Sequence, residues 1–96
     1  MATIRTTEIF DTWLAVVRDR QAQFRIATRI RRLSLGNPGR YRTLTGGVSE
    51  MKINYGPGYR VYYVERDGIT YILLCGGDKA SQQHDITTAL ALAQGV

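Results

Sequence analysis

The sequence predicts a single α+β domain spanning residues 1–96, built on a twisted and mainly antiparallel sheet. Three observations lead to this prediction. Apolar residues recur at helical spacing over residues 8–35, three strand-like runs joined by glycine-marked turns occupy residues 48–79, and a final amphipathic segment follows Ser81. The predicted order is β-α-α-β-β-β-α, with the N-terminal helical pair on one face of the sheet and a C-terminal helix closing the chain.

The N-terminal elements are predicted from capping residues and helix stops. Residues 2–6 alternate weakly between polar and apolar and predict a short first strand. Thr6 or Thr7 can cap the first helix, because a threonine side chain accepts hydrogen bonds from the first helical amides. A second helix is expected to run to about Leu35, since Gly36 is a typical C-terminal stop. The tight connection between the two helices predicts an antiparallel pair.

The central strands are organised by their turns. Asp67 and Gly68 predict a two-residue hairpin loop, because both central residues of a type I′ turn need positive φ. In that register Arg60 faces Cys75. Strand alternation then places six residues on one face of the sheet: Arg60, Tyr62, Val64, Tyr71, Leu73 and Cys75. Residues 40–47, before these strands, are predicted to be a polar connector.

Composition narrows the class of protein. The chain is 44% hydrophobic and 22% charged, which is typical of a folded globular domain and argues against disorder. It has no apolar run of membrane-spanning length and no secretory signal at its N-terminus, so we expect a cytoplasmic protein without a membrane partner. The single cysteine, Cys75, excludes an internal disulfide and a cysteine-based zinc site, and its apolar run predicts a buried structural thiol.

The positive charge is concentrated in one block. Residues 18–42 hold eight arginines and one acidic residue, whereas the rest of the chain is slightly acidic. Such a block predicts a polyanionic partner or an acidic protein partner. A solvated helix face is the alternative. We favour it less, because such a face normally also contains lysine and glutamate, and here arginine is almost the only charged residue.

A second group of cations lies on the predicted sheet. Lys52, Arg60 and Lys79 are expected to converge at one end of the strands. Convergent Lys and Arg with few compensating acids suit a phosphate, and they can stabilise the pentavalent phosphorus formed when the 2′-hydroxyl of RNA attacks its own backbone. For Arg60 the competing interpretation is a salt bridge with Asp78 or Glu50.

The sequence has few of the residues and motifs that metal-dependent or cofactor-dependent catalysis requires. There is no phosphate-cradling loop, dinucleotide fingerprint or HExxH motif, and His84 is the sole histidine, so we predict neither a metal nor a cofactor. Tyr55, Tyr59 and Tyr62 can stack exposed bases of single-stranded RNA. Packing within the sheet is the alternative for these tyrosines, and it is favoured for at least one of them.

Several motifs together resemble one known family. The run RIATRIRRL at 25–33, GPGYRVYY at 56–63 and GGDKxSQxxDI at 76–86 cover much of the chain in order. The sequence resembles the RelE/ParE superfamily of type II toxin–antitoxin toxins, and within it the HigB-like, phage-derived (Gp49-like) addiction module killer proteins. The order of helices and strands read from the residues agrees with the fold of that family.

The resemblance implies a small toxin that stops translation by cutting mRNA, commonly on the ribosome, and that a cognate helix-turn-helix antitoxin holds inactive. Such enzymes use no metal. By position, Arg60 matches the strand arginine at the catalytic face of the family, Lys52 the basic position on the preceding strand, and Lys79 the basic residue after the last strand. These three are the main candidate catalytic residues.

The general acid and base stay unassigned from the sequence. Relatives in the wider superfamily often carry a tyrosine or histidine near the start of the C-terminal segment, where this chain offers His84 and Asp85. Asp85 belongs to the matched motif, whereas His84 falls at one of its variable positions, and both are weaker candidates. Tyr62 is an alternative proton donor, although an ordinary phenol ionises far from neutral pH.

Three functions are compatible with these residues. The first is a ribosome-dependent endoribonuclease whose catalytic cations stabilise the transition state. Its candidate RNA- or ribosome-binding residues are Arg25, Arg29, Arg32, Arg40, Arg42 and Tyr55. The second is a ParE-like inhibitor of a protein target such as DNA gyrase, and the third is a plain RNA- or DNA-binding module. The predicted fold does not separate the three, and the convergent cations favour the first. Oligomeric state stays open.

Overall fold

A computed structural model describes residues 2–96 and confirms the α+β class, with three α-helices and a five-stranded sheet. In chain order the elements are β1 (Thr3–Thr6), α1 (Glu8–Ala15), α2 (Arg20–Ser34), β2 (Tyr41–Thr43), β3 (Val48–Ile53), β4 (Tyr59–Arg66), β5 (Thr70–Gly77) and α3 (Gln82–Ala93). A single turn of 3-10 helix, Thr45–Gly47, separates β2 from β3. No helix within residues 2–96 is both long enough and apolar enough to cross a membrane.

The sheet is mixed. Its strand order is β1-β5-β4-β3-β2. The pairs β2–β3, β3–β4 and β4–β5 are antiparallel, whereas β1 pairs parallel with β5. The expected order of elements is wrong in one respect, because residues 40–47 are not only a connector. They contain β2, which pairs with residues 49–51 of β3. All three side chains of β2 are exposed, so the strand shows no apolar alternation from which it could be predicted.

The predicted hairpin register is also wrong. Asp67 and Gly68 have the expected positive φ angles of 60° and 73°, but Ile69 is a third loop residue, so Arg66 pairs with Thr70. The carbonyl of Ile69 accepts a hydrogen bond of 2.7 Å from the amide of Thr3, which ties this loop to β1.

This shift changes which residues share a face of the sheet. A one-residue change of register moves side chains to the opposite face, and Tyr71 and Leu73 therefore lie opposite to the predicted side. A β-bulge near Leu74 shifts the pairing once more, so that Cys75 returns to the predicted face. Cys75 pairs with Tyr62, and Arg60 pairs with Gly77 instead of Cys75.

Apolar residues are buried on both faces of the sheet. The expected helical pair packs on one face, where α1 and α2 contribute Phe10, Ile26 and Leu33 to a cluster with strand residues such as Val61 and Leu73. The other face packs against α3. Its buried residues are Val48, Tyr62, Val64, Leu74, Cys75, Ala89 and Ala93.

The start of α1 and the end of α2 follow the predicted signals. Thr7 caps α1 by accepting a hydrogen bond of 3.0 Å from the amide of Phe10, and its hydroxyl donates to the carbonyl of Leu74 at 2.6 Å. The same side chain therefore caps the start of the helix and attaches it to β5. Gly36 follows α2 with a φ of 88°, which is the left-handed conformation of a helix stop.

Candidate functional site

Neighbouring strands bring the three predicted sheet cations to one end of the sheet. Arg60 of β4 pairs with Lys52 of β3 on one side and with Gly77 of β5 on the other. Lys79 follows β5, and its amide donates a hydrogen bond of 3.3 Å to the carbonyl of Pro57, which holds it beside the β3–β4 turn. The predicted convergence of Lys52, Arg60 and Lys79 is therefore present in the backbone geometry.

An open cleft of about 480 Å³ lies over this end of the sheet, on the face that also packs against α3. Its lining residues are Arg40, Tyr41, Arg42, Glu50, Lys52, Arg60 and Gln82. The strand β2, which the sequence did not predict, brings the arginine block to the sheet cations. The cleft is consequently rich in positive charge, with four cations and one carboxylate on its walls.

Arg60 is a buried cation at the wall of this cleft, with only 5% of its surface exposed. Its Nη1 donates to the carbonyl of Gly58 at 2.5 Å, while its Nε lies 3.9 Å from Oε2 of Glu50 and has no hydrogen-bond partner within residues 2–96. Of the two salt-bridge partners considered from sequence, Glu50 is near and Asp78 is not used. The carboxylate of Asp78 instead accepts from backbone amides of the turn before α3.

Gly58 is required by the close approach of two of these cations. Its φ of 80° is one that side-chain-bearing residues rarely adopt, and an added Cβ would lie 3.1 Å from Nη1 of Arg60 and 3.7 Å from Cβ of Lys79. The glycine thus lets the turn fold over the arginine, so that its carbonyl accepts a hydrogen bond from the guanidinium.

Glu50 is a cleft residue that the sequence suggested only as a salt-bridge partner of Arg60. It is 4% exposed, and its two oxygens accept from Nε of Arg42 at 2.7 Å and from Nε2 of Gln82 at 2.9 Å. Burial by itself raises the pKa of Glu50, but the hydrogen bonds from Arg42 and Gln82 outweigh it and hold the pKa below the ordinary value of 4.5. The sequence feature that could have indicated this position is a glutamate at the centre of a predicted strand, on the same face as Lys52.

Tyr62 lies beside this carboxylate but is fully buried. Burial first, and then the charge of Glu50, raise the pKa of Tyr62 above the ordinary value of 10, so the phenol is protonated at neutral pH. Its hydroxyl has no hydrogen-bond partner within residues 2–96. As a proton donor, Tyr62 would need to become exposed to a substrate in the cleft.

The two weaker candidates on α3 differ in their surroundings. Asp85 accepts a hydrogen bond of 2.5 Å from Oγ of Ser81 and packs against Gly77 so closely that an added Cβ there would collide with its carboxylate. Asp85 therefore holds the start of α3 against β5. His84 is exposed on α3, and its side chain makes no hydrogen bond with the described residues 2–96.

Ser81 and Cys75 are structural neighbours of this corner. Ser81 stands at the predicted start of α3, but its side chain makes no capping bond to the helix amides and binds Asp85 instead. The thiol of Cys75 donates to the backbone carbonyl of Asp85 at 3.5 Å, and burial raises its pKa to about 12. Cys75 is thus a buried structural thiol, as predicted.

The arginine block divides into structural and exposed members. Arg29 donates to three backbone carbonyls, those of Lys52 at 2.6 Å, Arg40 at 2.9 Å and Pro38 at 3.1 Å. Burial, and then the neighbouring charge of Arg32, lower the pKa of Arg29 below its ordinary value. Arg29 therefore attaches the turn after α2 to β3, a role that the sequence did not predict.

The remaining predicted binding residues lie at the surface. Arg25 and Arg32 are exposed on α2, and the guanidinium of Arg25 stacks over the ring of Tyr55 at 4.8 Å. The hydroxyl of Tyr55 donates to Asp19 at 2.8 Å, so this tyrosine is held beside the N-terminus of α2. Arg40 and Arg42 are exposed at the mouth of the cleft, with Arg42 paired to Glu50.

Within residues 2–96, no three His, Cys, Asp or Glu side chains come together as a candidate metal site. The fold and the cleft together define a small α+β domain with a buried arginine and an anion-suited cleft at one end of its sheet. Comparison with known proteins places the chain in a family. It is 45% identical over 91 residues to an uncharacterized protein of Haemophilus influenzae, and the match covers 95% of this chain and 92% of that protein.

The chain belongs to the same family as this Haemophilus protein. No family model matches the chain.

Proposed function

We propose that the protein is the toxin of a type II toxin–antitoxin system and a metal-independent endoribonuclease that cuts mRNA on the ribosome. A cognate helix-turn-helix antitoxin would neutralise it in the cytoplasm. The observation that carries the proposal is Arg60, a buried cation whose Nε donor is unused, at the wall of a cleft that also presents Lys52. A buried charge without full pairing is costly, which favours a functional reason for its position.

The cleft residues suit the cleavage of an RNA phosphodiester. The 2′-oxygen attacks the adjacent phosphorus, a new P–O2′ bond forms and the P–O5′ bond breaks, which leaves a 2′,3′-cyclic phosphate and a 5′-hydroxyl. Extra negative charge develops on the phosphoryl oxygens, and the guanidinium of Arg60 with the ammonium of Lys52 would stabilise it. Removing one such donor typically costs about 100-fold to 1,000-fold in rate. Lys79, beside the β3–β4 turn, would add charge at the edge of the cleft.

Glu50 would accept the proton of the 2′-hydroxyl. It is the one carboxylate among the residues that line the cleft, and its lowered pKa keeps it ionised at neutral pH. Arg42 and Gln82 would orient it through their hydrogen bonds. The departing 5′-oxygen would take its proton from water in the open cleft.

The proposed function is tested by expressing the protein without any partner and mapping transcript ends. We expect growth arrest, cuts within translated regions, 5′-hydroxyl ends and the same cleavage by purified protein on ribosomes in the presence of a chelator. Growth arrest with intact mRNA and broken DNA would instead favour an inhibitor of a protein target such as DNA gyrase. RNA affinity without any cleavage would favour a plain binding module.

A further inference from the structure

A second basic groove lies on the helical side of the sheet, between α2 and the end of β3. It has a volume of about 420 Å³, and its walls include Phe24, Arg25, Thr28, Arg32 and Asn54. Arg29 also lines it and donates to the carbonyls of Lys52 and Arg40, both of which line the cleft. The guanidinium of Arg29 therefore connects the groove to the backbone of two cleft residues, near the end of β3.

Phe24 is the unusual residue of this groove. Its side chain is 66% exposed, although the buried stripe of α2 is complete without it. That stripe consists of Ala22, Ile26 and Leu33. A single exposed apolar residue is common in folded proteins, but this one lies between exposed arginines on a helix with no acidic residue in its first turn.

We propose that this groove binds the single-stranded RNA that enters the cleft, with a base stacked on Phe24 and phosphates bound by Arg25 and Arg32. The inference rests on the proposed endoribonuclease function and names the path of its substrate. Arginine presents a planar donor fork that matches a phosphate, and every base offers a face for stacking. Arg25 and Arg32 lie two helical turns apart on one side of α2, so they can contact successive parts of one backbone.

The groove suits RNA better than an acidic protein segment. A helix bound in a groove needs apolar anchors at successive turns, whereas Phe24 is the one large exposed apolar side chain among the described residues of this groove. Ile53, its other large apolar neighbour, is buried. Stacking on one aromatic ring beside a row of cations is instead the arrangement of single-strand binding sites.

Binding is measured with a short single-stranded oligoribonucleotide that carries 2′-O-methyl sugars and therefore cannot be cleaved by its own 2′-oxygen. Phe24→Ala should weaken binding about tenfold, which corresponds to the loss of one base stack. The slope of affinity against salt should stay unchanged, because no charge is lost. The double variant Arg25→Gln, Arg32→Gln should lower that slope by about 1.4, from about 0.7 for each lost phosphate contact.

Matched variants separate stacking from bulk and from instability. Phe24→Tyr should bind as the wild type does and Phe24→Leu should bind as weakly as Phe24→Ala, while Ile69→Ala, at an equally exposed position in the β4–β5 loop, should change nothing. Unchanged affinity in Phe24→Ala would overturn the inference. So would equal binding by Phe24→Leu and Phe24→Tyr, or displacement of the oligonucleotide by an acidic helical peptide that binds more tightly.

A different experimental result would refute the proposed function. Absence of cleavage of unmodified mRNA on ribosomes would refute the nuclease, whereas the oligonucleotide measurement reports the groove alone. The two failures are therefore distinguishable.

Discussion

The buried carboxylate of Glu50 organises the candidate site at the scale of single residues. It accepts hydrogen bonds from β2 through Arg42 and from α3 through Gln82, and it lies near Nε of Arg60 on β4. The ion pair with Arg42 contributes little by itself, because the Arg42 side chain is 57% exposed and screened by solvent. The main effect of Glu50 is to hold side chains from three elements in one arrangement.

The lowered pKa of Glu50 predicts how acid affects stability. A carboxyl group whose folded-state pKa lies below its unfolded value stabilises the fold above the unfolded pKa, and that stability is lost as the pH falls through the folded value. We expect Glu50→Gln to be less stable than the wild type at neutral pH, and the difference in free energy of unfolding to shrink below about pH 4.

Denaturant titrations at several pH values check this, with Glu65→Gln as the control for removing an exposed carboxylate. If the difference between Glu50→Gln and the wild type were the same at neutral and acid pH, Glu50 would not titrate with the assigned shift. In cleavage assays the same variant should lose about 100-fold or more in rate, the usual effect of removing a general base.

At the scale of elements, two adjacent glycines let helices approach both faces of the last strand. An added Cβ on Gly76 would lie 2.4 Å from the ring of Trp13 in α1, and one on Gly77 would collide with Asp85 in α3. Because successive side chains of a strand point to opposite faces, the pair Gly76-Gly77 opens both faces at one point. The candidate site lies at this end of β5, next to Arg60.

We predict that Gly76→Ala destabilises the protein by about 1–3 kcal/mol, the usual cost of overpacking a filled core. Gly95→Ala is the control, since its added Cβ would lie 3.8 Å from the nearest atom and its φ is not positive. Thermal unfolding measures both, and the double variant Trp13→Leu, Gly76→Ala should recover part of the loss. A Gly76→Ala protein as stable as the wild type would show that Trp13 does not pack on this strand.

The same elements show what the sequence could and could not predict. The start of α1 and the end of α2 were predictable because Thr7 and Gly36 act through local backbone chemistry. The hairpin register was not, because Ile69 joins the loop through a hydrogen bond to β1, far away in sequence. The strand β2 was missed for a related reason. It is held in the sheet by backbone pairing with β3 and not by buried side chains.

At the scale of the whole molecule, the candidate site is an assembly of distant segments. The convergence of Lys52, Arg60 and Lys79 was predictable, because antiparallel strands place their ends together whatever the exact register. The central position of Glu50 and the structural role of Arg29 were not, because both depend on partners from elements that pack only in the folded protein. Two basic surfaces, the cleft and the groove beside α2, are linked through Arg29, which lines the groove and donates to backbone carbonyls of two cleft residues.

The central claim is that Arg60 serves a phosphate and not the fold. Its loose contact with Glu50 and its single hydrogen bond to Gly58 predict that Arg60→Ala stays folded, since Glu50 keeps both of its other partners. Arg66→Ala is the matched control on the same strand. Nη2 of Arg66 donates a hydrogen bond of 2.9 Å to the carbonyl of Ala93 and so secures the end of α3.

Cleavage rate and melting temperature, measured on the same preparations, test this claim most directly. Arg60→Ala should keep a melting temperature close to that of the wild type and lose about 100-fold or more in cleavage of ribosome-bound mRNA. Arg66→Ala should melt at a lower temperature and cleave at the wild-type rate. A folded Arg60→Ala protein that cuts mRNA as fast as the wild type would contradict the assignment of the site.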